Sequence, residues 1–468
     1  MRVDRAPGLA TFVAKAVTEL QPVPHTGVGI AIIRDARVVY SRGFGLRDRA
    51  SGARVHRHTL FAIGSATKGF TSMSLSMLGE SGAVDLQRPV KEYLPGFKMK
   101  DPDASMNMTL EDMLSHRTGL PRHDALWYLG PFSQSQLVYR LQYLDPHPNP
   151  AFGFRRAFLY NNMIYTSTGV LLEAVTGGSW QTFVKDCIFK PLNMSKSHFS
   201  MYEFEQSSNR AKGYLADQIL PLKDIENIAP AGTIYSNVVE MSNWVALHLN
   251  RGVAPDGTRI ISEASLDRMY QSHIPAPEAG PDVSYGLGWF VGSAGGKRLL
   301  FHPGHADGYS AYVSLMPDAG LALVLLVNQH HSPFPEQLAA RIYGHLLGAS
   351  IAHFPIATPV TTGLDVKIPG QRPPAGKSQP PDGYVGLYAN DGYGDVTIRR
   401  VGTKLEISYY ERYWPLQRVD DTVFSFRLDA YGTHFEVPVF FEANAGGAID
   451  GVRLWLEPRV DPIRFAKR

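Results

Sequence analysis

The feature that most limits how this chain can fold is the stretch from Pro355 to Pro381, which carries seven prolines among Gly, Lys, Thr and Gln. Each proline fixes φ and removes a backbone donor, so neither a helix nor a central strand passes through such a run. Residues 355–382 therefore read as a semi-rigid linker. The chain must close one core before it, residues 1–354, and another after it, residues 383–468. Single cores stop growing near ~250–300 residues, so a 468-residue chain divided in this way is expected.

Ahead of the linker, strand signals stand at both ends of a helix-bearing middle. An apolar run from Gly29, the polar turn Asp35-Ala36 and then Val38-Val39-Tyr40 read as a β-hairpin. After Ser65 the period changes: Phe70, Met73, Met77 and Leu78 recur at helical spacing and Gly82 follows the expected end. Further helical stretches fall around Thr109–Leu114 and Thr168–Val175. Strand signals return at Ser284–Val291, Ser310–Met316 and Leu321–Asn328. Strictly alternating βαβ units are absent, which disfavours a doubly wound parallel sheet. The expected first domain is α/β of the α+β type: a mixed antiparallel sheet flanked by helices, with a helical subdomain.

Beyond the linker, short β-type runs follow closely: Val396–Val401, Leu405–Tyr410, Val423–Leu428, Phe435–Phe441 and Val452–Leu456. They predict a separate small antiparallel β domain or barrel. Its aromatic residues, including Tyr409, Tyr410, Tyr413 and Trp414, are expected in its core.

Hydrophobic residues make up 44% and charged residues 19%, enough apolar material for sizeable cores. The net charge of +3 is small and no basic run occurs, so nucleic acid is not an expected partner. The strongest apolar run, Leu321 to Val327, is too short to span a bilayer. The N-terminus, Met1-Arg2-Val3-Asp4-Arg5, opens without the apolar segment of a signal peptide, so a cytoplasmic location is expected. The single cysteine, Cys187, excludes an intrachain disulfide and reads as a small core residue.

Chemistry concentrates at Gly64-Ser65-Ala66-Thr67-Lys68. A serine at the first turn of a helix lies near free backbone N–H groups and the positive end of the dipole. Lys68, three residues on, shares its face and can reach the Ser65 hydroxyl. A serine becomes a useful nucleophile when a base removes its proton, and a desolvated lysine can be that base. The same four residues also suit an N-cap serine beside a solvated lysine.

Neighbouring blocks carry more. Thr59 to Thr71 resembles the nucleophile segment of the penicillin-binding protein and class C β-lactamase superfamily, which includes family VIII esterases and D-aminopeptidases. Thr109-Leu110-Glu111-Asp112-Met113-Leu114-Ser115-His116-Arg117-Thr118-Gly119-Leu120 and Tyr285-Gly286-Leu287-Gly288-Trp289 are similar to later blocks of that superfamily, in the same order. The resemblance covers roughly residues 20 to 350. It implies that Tyr160, in Tyr160-Asn161-Asn162, shares a proton with Lys68 and passes it to the leaving group. It implies that Asn162 binds substrate. His302-Pro303-Gly304 stands where penicillin-hydrolysing members carry Lys-Thr-Gly, and a neutral imidazole supplies no permanent cation for a substrate carboxylate. By the same resemblance, His302 lines the pocket, the N–H groups of Ser65 and His305 form an oxyanion hole, and Gly304 allows close approach.

The expected activity is hydrolysis of a small ester or amide through a Ser65 acyl-enzyme, with the ester favoured. D-aminopeptidase or amidase action is the alternative; it needs a carboxylate near the substrate amine, with Asp124 and Asp307 as candidates. A catalytically inactive binding relative is the alternative of another class. His302 with His305, and His330 with His331, raise a metal reading, but no His-Glu-x-x-His occurs and no metal is expected. Gly286-x-Gly288 and Gly27-x-Gly29 lack the dinucleotide fingerprint, so no cofactor is expected. No Gly-x-Ser-x-Gly elbow is present. Expected partners are a small ester or peptide substrate and further copies of the chain in a homo-oligomer; in similar hydrolases an appended β domain of this kind either caps the active site or supports oligomers.

Overall fold

In a computed structural model of the chain, the described residues are 8–21, 23–349, 351, 354–355, 379–420, 423–430 and 432–468. The linker reading of 355–382 thus falls largely on 356–378, outside the described residues. The chain divides into two compact units, one of residues 1–94, 109–117 and 164–360, the other of 95–108, 118–163 and 361–468.

The first unit is built on an eight-stranded sheet: β1 (Val28–Arg34), β2 (Arg37–Phe44), β3 (Ile274–Pro275), β4 (Ser284–Tyr285), β5 (Phe290–Ala294), β6 (Lys297–Ala306), β7 (Tyr309–Met316) and β8 (Leu321–Val327). The expected hairpin is β1–β2, and its turn residues Asp35 and Ala36 both take positive φ, as a tight two-residue connection matched to strand twist requires. The strand order is β2-β1-β8-β7-β6-β5-β4-β3, with every neighbouring pair antiparallel.

Every residue of β7 and β8 is buried. This follows from helices on both faces: Val238–Leu249 packs where Gly29 leaves room for Val238, and Phe334–Leu347 packs on the other side, where Tyr343 reaches Ser314. Strands buried on both faces read as continuous apolar runs, which is how Leu321–Val327 appears in the sequence.

Three expectations shift. The strand expected over Ser284–Val291 is two short strands, because Gly286 N–H bonds back to the Trp289 carbonyl (2.8 Å) and turns the chain between them. The helix expected over Thr168–Val175 begins earlier and spans Asn162–Thr176. Cys187 is half-buried rather than enclosed in the core.

In the second unit the C-terminal residues form a nine-stranded antiparallel sheet: β9 (Gly386–Asn390), β10 (Gly394–Val401), β11 (Lys404–Tyr409), β12 (Arg412–Pro415), β13 (Gln417–Arg418), β14 (Val423–Ala430), β15 (Thr433–Ala443), β16 (Ile449–Leu454) and β17 (Ile463–Lys467). Its order is β12-β11-β10-β9-β17-β16-β15-β14-β13. Trp414 of β12 meets Phe426 of β14 at 5.4 Å between ring centroids, so the sheet curls into a nearly closed barrel. Tyr409 is in its core as expected, but Tyr413 is 50% exposed and Tyr410 and Trp414 are half-buried. Within this unit the insert 118–163 is tied to the barrel. The Arg140 guanidinium donates to the carbonyls of Asp391 (3.1 Å) and Gly392 (2.8 Å) and lies over the Phe132 ring.

Candidate active site

Ser65 lies in the tight turn Gly64–Ala66, between the short strand Phe61–Ala62 and the helix Thr67–Glu80. That helix is buried nearly all round, which explains why its apolar residues alternate with small polar ones: Thr71 donates to the Pro230 carbonyl (2.6 Å), and Ser72 shares a hydrogen bond with Tyr165 (2.9 Å). Ser74 likewise donates to the Phe70 carbonyl (2.9 Å), so packing the helix centrally leaves none of these three hydroxyls bare.

Lys68 has no exposed surface. Its Nζ is hydrogen-bonded to Ser65 Oγ (3.1 Å) and to the Ala231 carbonyl (2.9 Å), and stands 5.4 Å from the centre of the Tyr165 ring. Water is excluded from the amine while the serine, half-buried, keeps an open side.

His302, Gly304 and His305 all lie inside β6, the strand directly ahead of β7. Pro303 has no N–H to give a ladder, and β5 has already ended opposite Phe301, so this edge of β6 is open from His302 onward. The turn bearing Ser65 fills the open edge. A Cβ on Gly304 would sit 1.9 Å from the Ile63 carbonyl oxygen, so only glycine permits the approach. A Cβ on Gly64, at φ +50°, would sit 2.6 Å from the His305 carbonyl oxygen.

The His302 ring is fixed at both nitrogens. Nδ1 meets the Pro303 carbonyl (2.7 Å), which can only accept, so Nδ1 carries the proton and Nε2 accepts from the Tyr285 hydroxyl (2.9 Å). Burial, then the nearby Lys68 charge, holds its pKa down to about 3, so the imidazole is neutral at pH 7. His305 stacks on His331 at 4.5 Å, and burial together with His330 lowers its pKa to about 4. Among the described residues no cluster of three or more His, Cys, Asp or Glu could hold a metal ion.

Ser65, Lys68, His302, Gly304 and His305 are thus brought together in the first unit. Tyr160 and Asn162 belong to the second, where both are buried. The Arg122 guanidinium lies 5.1 Å from the Tyr160 ring centre, and Asn161 Nδ2 donates to the Pro121 carbonyl (2.5 Å). Asp124 is fully buried and engaged at both oxygens, by Arg122 Nε (2.6 Å) and Trp127 Nε1 (2.6 Å), so it offers no carboxylate to an amine. Tyr285 and Tyr165 went unassigned in the sequence. Tyr285 opens the Tyr-Gly-Leu-Gly-Trp block and so carried a signal; Tyr165 lies inside a helix and carried none.

A serine in the turn that leads into a buried helix, set against the open edge of an antiparallel sheet and hydrogen-bonded to a buried lysine, suits the beta-lactamase-fold class of serine hydrolases. A family model described as Beta-lactamase matches residues 17–347, and a second, a domain of unknown function designated DUF3471, matches residues 371–467. The chain belongs to the beta-lactamase family. Its relatives include the unguisins hydrolase ungD' of Aspergillus campestris, 29% identical over 65% of this chain and 59% of that protein. The chain thus spans less than two thirds of that relative's length. The unguisins hydrolase ungD of Aspergillus violaceofuscus is 26% identical over 93% of this chain and 85% of its own. Among solved structures, the octameric penicillin-binding protein homologue from Pyrococcus abyssi superposes with a TM-score of 0.62 at 22% identity, covering 98% of this chain and 99% of that one. SurE with D-Leu gives a TM-score of 0.56 at 20% identity over 98% of this chain and 99% of the other. No helix among the described residues is long and apolar enough to cross a membrane.

Proposed function

We propose that the protein cleaves a small carboxylic ester or amide by acyl transfer to Ser65, and that esters are the better substrates. The observation that carries this is the 3.1 Å hydrogen bond between Ser65 Oγ and a fully buried Lys68. Lys68 takes the Ser65 proton as Oγ attacks the carbonyl carbon, and the N–H groups of Ser65 and His305 hold the oxyanion. The proton then goes to the leaving group through Tyr160, a role that rests on its Tyr-x-Asn motif, with Asn162 holding the substrate. Water attacks the acyl-enzyme by the reverse proton path. His302, neutral and bonded at both nitrogens, neither accepts the proton nor pairs with a carboxylate; it shapes the wall of the site. That neutrality is the physical reason β-lactam hydrolysis is disfavoured.

The amide reading keeps a place because two relatives are named as unguisins hydrolases and one neighbouring structure holds D-Leu. With Asp124 already engaged, Asp307, 8% exposed, remains the candidate carboxylate for a substrate amine. The octameric neighbour supports assembly into a homo-oligomer, which light scattering of the purified chain measures. The substrate class is tested by turnover of p-nitrophenyl acetate and D-alanine p-nitroanilide, with Ser65→Ala as the blank. Ser65-dependent acetate turnover well above anilide turnover is expected; the opposite ranking moves the assignment to a peptidase. Turnover of neither substrate points to an inactive binding relative.

A further inference from the structure

The tripeptide Arg122-His123-Asp124 has no assigned role in the chemistry above, yet it is among the most constrained segments of the second unit. His123 is a non-glycine residue at φ 49° with no exposed surface. A strained backbone of this kind persists only where its surroundings over-determine it. Here the surroundings come from the C-terminal barrel. The His123 N–H donates to Glu457 Oε2 (2.7 Å), and Nδ1 is 2.7 Å from the Tyr393 hydroxyl. Nε2 meets the Asp145 carbonyl (3.0 Å), which can only accept, so Nε2 carries the proton and Nδ1 accepts from Tyr393. Tyr393 sits in the turn between β9 and β10, and Glu457 follows β16. Glu457 is itself held, its Oε1 accepting from the Arg459 N–H (3.1 Å).

The other side of the tripeptide faces the Tyr160 motif. Arg122, braced by Asp124, holds its guanidinium 5.1 Å from the Tyr160 ring, and the Pro121 carbonyl takes the Asn161 amide. A cation against a phenol ring is attracted to its π face and so fixes the ring's position. The loop is therefore clamped between the barrel and the tyrosine.

We propose that the C-terminal β domain is a positioning element of the active site: through Glu457 and Tyr393 it fixes His123, and through that loop it sets the Arg122 guanidinium against Tyr160. The inference rests on the reading of Tyr160 as a proton-handling residue. It gives the appended domain a part in catalysis, with neither Glu457 nor Tyr393 touching substrate.

The test uses the full chain with Tyr393→Phe, Glu457→Ala and Glu457→Gln, measured on the ester substrate beside wild type and Tyr160→Phe, each with a thermal melt. Misplacing a reacting group by ~1 Å can cost ~10²-fold, so Tyr393→Phe and Glu457→Ala are expected to lower kcat about tenfold or more, with KM within about twofold. Glu457→Gln keeps an acceptor oxygen and is expected within about threefold of wild type. Wild-type kcat in Tyr393→Phe and Glu457→Ala, a change confined to KM, or equal loss in the Gln and Ala variants overturns the proposal. Should Glu457→Ala fail to melt cooperatively, Tyr393→Phe decides alone, since it removes one oxygen and leaves the ring beside Phe465. If Ser65 reacts and Tyr160→Phe is inactive while these variants behave as wild type, only this inference fails. A fully active Tyr160→Phe removes the role assigned to Tyr160 and this inference together.

Discussion

Each compact unit contains a buried histidine whose protonation state is set by its neighbours, and the two differ in what they leave open. Around His123 every polar group named above closes on a protein partner: two ring nitrogens, one strained N–H, both oxygens of Glu457 and both of Asp124. Around His302 the ring is equally saturated, but the neighbouring Ser65–Lys68 pair is not, because Ser65 stays half-buried with one known partner. A saturated network resists change, whereas one with a single open hydroxyl is poised to react with whatever enters. The His123 cluster is thus suited to holding geometry and the Ser65 cluster to chemistry.

The largest expected effect breaks the open cluster. Lys68→Ala removes the proposed base and is expected to lower kcat/KM by roughly 10³-fold, within the ~10²–10⁴ range of general-base contributions, while the variant still melts cooperatively; steady-state kinetics and a melt check it. Near-wild-type turnover would assign the proton to another group.

The second prediction contrasts two buried carboxyls. Glu457 accepts two backbone N–H bonds, and burial pushes it up to about 7. Glu336, on the helix Phe334–Leu347, has one oxygen with no hydrogen-bond partner, and burial pushes it up to about 8. A carboxyl whose folded pKa is raised holds a proton that the unfolded chain gives up. Its contribution is complete below the unfolded value near 4.5 and is lost as pH rises to about 8. Glu336→Gln should therefore remove a stability decline on the order of 5 kcal/mol between those limits, as read by denaturant melts across pH. Glu457→Gln should remove less. Equal pH slopes in wild type and Glu336→Gln would count against the buried, proton-bearing carboxyl.

The smallest effect tests His302. Tyr285→Phe removes the hydroxyl that donates to His302 Nε2, at a cost of about 1–3 kcal/mol, visible as a lower Tm. The loss in kcat should be far below that of Lys68→Ala. A loss as large as that of Lys68→Ala would mean that His302 takes part in proton transfer after all.

How much of this was legible in the sequence follows from the same physics. The contact between Ser65 and Lys68 and the helix behind them were readable because a spacing of three residues and a helical period are local. Leu321–Val327 was readable because a strand buried on both faces is a continuous apolar run. Lys297–Ala306 was not: Pro303, Gly304 and two histidines break every strand pattern, and they are tolerated because β5 stops and the Ser65 turn takes its place. The early start of Asn162–Thr176 was hidden because Tyr160-Asn161-Asn162 reads as a turn. Nor could the sequence pair His123 with Glu457, 334 residues apart, or show that Asp124 is already engaged. Such contacts come from long-range packing, which leaves no local periodicity.

The most direct test is the intact mass of the full chain after a fluorophosphonate probe, on wild type and on Ser65→Ala. The account predicts that wild type gains the mass of a single probe and that Ser65→Ala gains none. An unlabelled wild type, or equal labelling of both, would contradict it.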